Sequence, residues 1–256
     1  MEYKEFLKSK KKSHIHSGFD CEPSNKYLKP FQRLIVKKAL KAGRYAIFAD
    51  TGLGKTIMQL SWASEVVSKT KLPVLILAPL AVVAQTKRES EKFGIGIKGG
   101  IEIINYDQID NIDCSHYSGV VLDESSILKS FDGKTSNKLI DLFAKTPYKL
   151  CCSATPSPND HTELGMHSHF LGAMSYHEML AMYFVHDGGE TSKWRLRKHA
   201  DSDFWNFVLS WSIAIDNPST FGFTEQGYDL PKVHFIEHFI DVNDTGLNLY
   251  RSLNHL

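Results

Sequence analysis

No apolar run in the 256-residue sequence reaches the roughly 18 residues needed to cross a bilayer. The lysine-rich start, Met1 to Lys12, lacks the apolar centre of a secretory signal. No membrane partner is expected, and the expected location is cytoplasmic. Cysteine is scarce: Cys21, Cys114 and the adjacent Cys151 and Cys152, with no C-x-x-C pair. That usage suits reduced, buried thiols better than a disulfide framework. Excess charge is also missing. Thirty Lys and Arg against 29 Asp and Glu leave a formal charge of +1, so a nucleic-acid partner needs a local surface rather than bulk charge. There is no internal repeat, low-complexity tract, glycine-rich nucleophile elbow or G-x-G-x-x-G. His161, His167, His169 and His177 match no zinc spacing, and polar or capping roles fit them better.

The composition itself, 42% hydrophobic and 23% charged, is that of a folded soluble chain. The lysines at 8, 10, 11 and 12 fit a solvated tail first and a phosphate-backbone contact second. From Pro30 a rhythm begins. Phe31, Leu34, Ile35, Ala39 and Leu40 fall at helical spacing, with Pro30 placed to open the helix and Gly43 to close it. Apolar strands follow at 45–49, 74–78, 101–105, 120–122 and 148–153, with helices expected over 55–68, 80–93 and 134–144. Strands alternating with helices predict a parallel sheet covered on both faces. Residues 159–220 lose the rhythm and read as helical, with Phe204, Trp205, Phe207, Val208 and Trp211 on one apolar, core-packing face. Residues 228–242 read as extended.

The strongest local signal is Ala49-Asp50-Thr51-Gly52-Leu53-Gly54-Lys55-Thr56, between a strand and a helix. This is the context a phosphate loop requires. Polyphosphate packs several negative charges into a small volume. Glycines let backbone N–H groups close around it, and a helix N-terminus adds unpaired donors. Lys55 is the expected point charge on the β- and γ-phosphates, and Thr56 the hydroxyl on Mg²⁺. A second strand delivers Asp123 and Glu124 to its carboxyl end. Asp123 is the expected Mg²⁺ partner and Glu124 the expected base for an attacking water. The expected ligand is therefore ATP with Mg²⁺.

With the phosphate loop, Leu122-Asp123-Glu124-Ser125-Ser126 and Cys152-Ser153-Ala154-Thr155-Pro156 in hand, the chain resembles superfamily 2 helicases at their motifs I, II and III. Gly52 to Thr56 is most similar to the Swi/Snf-type branch, and within it to phage- and prophage-encoded members. The resemblance implies an α/β, RecA-like P-loop domain with a mostly parallel sheet, a helical subdomain and an extended connector. It implies the division 1–29 (N-terminal extension), 30–158 (ATP-binding lobe one), 159–228 (helical insertion or subdomain) and 229–256 (connector). Leu28 to Gln32 looks like the Q motif, which implies that Gln32 reads the adenine edge, beside Thr51, Gly52, Leu53, Gly54, Lys55 and Thr56 on the phosphates. Pro79 and Leu80 resemble motif Ia and Asn105 and Tyr106 the motif after the next strand, implying nucleic-acid contacts. Ser153, Ala154 and Thr155 would couple ATP state to lobe movement. The segment 186–200, with Trp194 and Arg195, resembles the phage subgroup, and Asp229-Leu230-Pro231 the connector.

Two departures are Ala49, where the common loop has glycine, and Ser126, where the common acid motif has histidine. A third is larger. The family motor has two RecA-like lobes, and the second supplies an arginine worth a factor of about 10³ or more. The sequence ends at Leu256, soon after the connector, so a second lobe in another chain is an expected partner. Two functions stay open. The first is ATP-driven movement on DNA, duplex in preference to single-stranded, in a host cytoplasm if the chain is phage-encoded. The second is an ATP- and DNA-binding module that cannot turn over alone.

Overall fold

The computed structural model describes residues 17–96, 99–187, 190–224, 227–228 and 236. The lysine cluster and Asp229-Leu230-Pro231 lie outside the described residues. Seven helices and eight strands are formed among those described: α1 (Pro30–Ala42), β1 (Arg44–Ala49), α2 (Lys55–Thr70), β2 (Val74–Ala78), α3 (Leu80–Lys92), β3 (Ile101–Asn105), β4 (Gly119–Asp123), α4 (Lys134–Leu142), β5 (Tyr148–Ser153), α5 (Leu164–Leu171), α6 (Tyr176–Tyr183), β6 (Phe184–Asp187), β7 (Glu190–Leu196), α7 (Asp201–Trp211) and β8 (Ser212–Ile215). No described helix is long and apolar enough to cross a membrane.

Six strands form one sheet in the order β3-β2-β4-β5-β1-β8, and every pairing in it is parallel. Side chains alternate between its faces, as the pleat requires. Tyr45, Ile47 and Ala49 enter one core with Val74, Ile76, Val121, Leu150 and Cys152. Ala46 and Phe48 enter the other with Leu75, Leu77, Val120, Leu122 and Cys151. Helices α1 and α2 cover the first face through Phe31, Ile35, Leu40, Met58, Leu60 and Trp62. Helices α4 to α7 cover the second through Leu139, Phe170, Met179, Phe204, Val208 and Trp211. The two adjacent cysteines thus point to opposite faces. All four thiols are free, with Cys21 half-buried and the other three buried.

The segment expected to be helical differs. Helices α5, α6 and α7 are present, but β6 and β7 pair as an antiparallel hairpin, and β8 is the sixth strand of the main sheet. Strand β8 has only four residues and follows α7 directly, so its apolar residues read as a continuation of the helix face. The hairpin does carry a sequence signal, Gly188-Gly189 between two strand-like runs. On α7, Phe204, Val208 and Trp211 are buried at i, i+4 and i+7, whereas Trp205 lies one position round the helix and is 37% exposed.

Candidate nucleotide site at the carboxyl edge of the sheet

Strand order decides what meets what. Strand β5 lies between β4 and β1, with Asp123 opposite Cys152 and Phe48 opposite Ser153. The phosphate loop after β1, the acid turn after β4 and Ser153 therefore lie side by side at the carboxyl edge, where open parallel sheets hold ligands. Further along the same edge, Ala78 pairs with Asn105, so Pro79 and Tyr106 lie beyond the acids, away from the loop.

The loop conformation demands its glycines. Gly52 and Gly54 have φ of 83° and 79°, a region that L side chains rarely adopt. A Cβ on Gly54 would also lie 2.5 Å from Gln32 Nε2. Gly54 is the N-cap of α2 and provides no side-chain cap, so the first-turn N–H groups of that helix point at the loop without one. The Lys55 ammonium donates to the carbonyls of Ala49 at 3.0 Å and Asp50 at 3.4 Å, held inside the loop. Thr51 is exposed, its N–H donating to Asp50 Oδ1 at 2.6 Å; Leu53 is buried, and Thr56 is half-buried at the start of α2.

Gln32 is buried, and both ends of its amide are used. Nε2 donates to Leu53 O at 2.9 Å, and Oε1 accepts from Lys29 N at 2.9 Å. In this arrangement Gln32 braces the loop from α1, and its amide keeps a second N–H and a second oxygen lone pair beyond these two bonds.

Asp123 closes β4 and is 5% exposed. Burial pushes its carboxyl above the ordinary carboxylate range; the Gln59 amide and Lys55 pull the other way, and Glu124 adds to the rise. Gln59, on α2, is fully buried without a formed hydrogen bond on either amide atom. Nothing in its spacing marks it, since it simply falls where α2 passes under β4. Glu124 stands next in the chain, and Ser153 Oγ donates to its Oε2 at 3.4 Å. Ser153 in turn accepts from Thr155 N at 3.1 Å, with Ala154 between them. A buried carboxylate, a nearby lysine and an uncapped helix N-terminus together fit a divalent cation and a polyphosphate. The cation would relieve the desolvated carboxyl, and the phosphates would take up Lys55 and the free amides.

The expected nucleic-acid residues divide. Leu80 is 71% exposed at the start of α3, next to half-buried Pro79. Asn105 is committed internally: its side chain accepts from Gln108 N, and Gln108 Oε1 accepts from Asn105 N. Tyr106 is half-buried, and its hydroxyl donates to the Asp123 carbonyl at 2.7 Å. Residues 107, 108 and 110 of the turn that Tyr106 opens are exposed, and two of them are aspartates. The polar contacts of Asn105 and Tyr106 thus run inward.

No family model and no curated protein matches this chain. The fold is nevertheless shared with solved structures. The Sulfolobus solfataricus SWI2/SNF2 ATPase core in complex with dsDNA matches with a TM-score of 0.63 at 20% identity, over 77% of this chain and 46% of that one. A Sulfolobus solfataricus SWI2/SNF2 ATPase core domain matches with a TM-score of 0.61 at 18% identity, over 80% of this chain and 47% of that one. The chain therefore has the α/β, RecA-like fold of such cores, and it spans less than half the length of these two structures.

Proposed function

We propose that this chain is the ATP-binding lobe of a DNA-dependent ATPase, of the helicase or duplex-DNA translocase kind, in the Swi/Snf-type branch and its phage-encoded subgroup. The observation that carries the reading is the meeting of the Lys55-Thr56 loop with the Asp123-Glu124 turn across β5. Lys55 and the first-turn amides of α2 hold the β- and γ-phosphates; Thr56 and Asp123 hold Mg²⁺. The ion, when bound, neutralises phosphate charge. Glu124 orients a water and accepts its proton as the β–γ phosphoanhydride is cleaved to ADP and phosphate. Ser153, hydrogen-bonded to Glu124, and Thr155 relay the state of that carboxylate to the surface. Pro79 and Leu80 are the foremost nucleic-acid contacts. A neighbour of the same fold was solved with dsDNA, which supports duplex as the first choice. The lobe extends beyond residue 158 to include β8, with α5 to α7 packed on the sheet rather than standing apart.

A second reading has its own support. The matched part of this chain covers 46% and 47% of the two SWI2/SNF2 cores, and a second lobe is where the family places its arginine. Alone, the chain then binds nucleotide without efficient turnover.

The test is ATP hydrolysis with no nucleic acid, with duplex DNA, with single-stranded DNA and with RNA, alongside Lys55→Ala and Glu124→Gln. Turnover that rises with duplex and falls at least about a hundredfold in Glu124→Gln supports the first reading. Lys55-dependent nucleotide binding with no turnover supports the second. Nucleotide binding unaffected by Lys55→Ala would sink both.

A further inference from the structure

Glu124 is one of two non-glycine residues with positive φ among those described, at φ 52° and ψ 57°. The other, Lys71, is an exposed helix cap. A left-handed, non-glycine residue persists only where its surroundings over-determine it. Two contacts flank this one. Along the sheet edge, the Tyr106 hydroxyl reaches past the end of β2 and donates to the carbonyl of Asp123, the residue before Glu124. From the helix beneath, His167 Nε2 on α5 lies 3.1 Å from the hydroxyl of Ser125, the residue after it. Ser125 and His167 are both fully buried.

We propose, resting on the function above, that Tyr106 and His167 are positioning residues for the Asp123-Glu124 turn: they pin the peptides on either side of Glu124, so that its carboxylate stays beside Ser153. His167 is a costly choice for packing alone. Its Nδ1 lies near the Glu163 backbone without a well-formed hydrogen bond, and burial holds its imidazole neutral, its pKa lowered to about 4. An aliphatic side chain would fill the site without that cost, but would leave the Ser125 hydroxyl unanswered. Tyr106 packs its ring against the same core, and it opens the exposed 106–111 turn that Asn105 and Gln108 lock. A ligand that displaces this turn pulls directly on the metal carboxylate's own peptide. The distance in sequence between His167 and Ser125, 42 positions, explains why no local motif announces the pair.

The experiment uses Tyr106→Phe, Ser125→Ala and the double variant in the full chain. Tyr106→Phe keeps the ring, and Ser125→Ala removes one oxygen, so both are expected to fold. Amide hydrogen exchange is read on residues 124–128, against residues 57–68 of α2 as reference. Each single variant is expected to speed exchange of the turn by about fivefold, the weight of one buried hydrogen bond, with α2 unchanged, and the double variant more. Turnover is then measured, with kcat expected to fall at unchanged KM for ATP. Exchange in 124–128 that does not change, or that rises equally in α2, overturns the proposal. So does an unchanged kcat in both single variants of a chain that turns over. A wild-type chain without turnover counts against the first of the two readings above, and the exchange measurement still decides the positioning.

Discussion

The two faces of the sheet are built differently. The first is closed by α1 and α2, each joined to β1 by a short connection, and its core is continuous aliphatic and aromatic packing from Leu28 to Ile215. One of its buried acids, Glu65, is answered by Ser24, which donates to Oε1 through N at 2.7 Å and Oγ at 2.6 Å. The second face is closed by the long return from β5 to β8, and it buries two bases. His167 is held neutral under the acid turn. Lys149, 3% exposed, donates to the Phe170 carbonyl at 2.8 Å, and burial, with Arg44 adding to it, lowers its pKa to about 8. The first face encloses acids and a phenol, Glu65, Asp123 and Tyr45, whereas the second encloses the two bases.

The comparison breaks if the second face folds on its own. Phe204→Ala on α7 and Trp62→Ala on α2 each remove a fully buried ring and are expected to destabilise by about 3–5 kcal/mol. Because β8 sits in the same sheet as β1, both variants should shift one cooperative unfolding transition, read by calorimetry and by urea titration with two probes. A separate transition appearing only in Phe204→Ala would mark residues 159–211 as an independent subdomain.

The next largest effect is acid sensitivity. His167 has a folded pKa below its unfolded value, so its contribution is complete above about pH 6.5 and is lost as pH falls toward about 4. The shift is worth up to about 3 kcal/mol. Asp123 works the other way, because a raised carboxyl is protonated earlier in the folded chain and so favours it as pH falls. Urea midpoints between pH 7 and 4.5 should drop more steeply in the wild type than in His167→Leu. Equal slopes would remove His167 as the cause.

A smaller trend is expected in alkali. The Lys149 amine also has a depressed folded pKa, so stability should rise as pH climbs from about 8 toward the unfolded value of about 10.4. Its enclosure is less complete than that of His167, so roughly 2 kcal/mol is expected. Above pH 10 the buried hydroxyls of Tyr45 and Tyr183, each raised to about 12, oppose it, since their contribution is lost as pH rises. Lys149→Met should abolish the rise between pH 8 and 10 while leaving the later fall. A rise that survives the substitution would place its origin elsewhere.

The legibility of the chain follows the same divide. Strands β1 to β5 and helices α1 to α4 are readable because apolar runs, Pro30, Gly43 and the glycines of the loop signal locally. The edge strand β8 is not, because four residues directly behind a helix carry no period of their own. Lys55, Thr56, Asp123 and Glu124 can be named from sequence, but their adjacency is a product of β5 lying between β1 and β4, which no local pattern spells out. Gln59, Ser125 and His167 are invisible for the same reason, since each becomes relevant only through a contact with a distant residue. Tyr106 and Gln32 are named, yet the family pattern says nothing of hydrogen bonds that turn their polar groups inward.

Strand order has one more consequence. Strand β1 has only two neighbours, β5 and β8, and both are made after it. On the ribosome, the strand that ends in the phosphate loop therefore leaves the exit tunnel with both hydrogen-bonding edges open, while β2 and β3 can already pair with each other. It gains its first partner only when residues 148–153 emerge, and its second only with 212–215. Pairing can thus begin in the distal half of the sheet, and β8 is the last strand available to complete the edge beside β1.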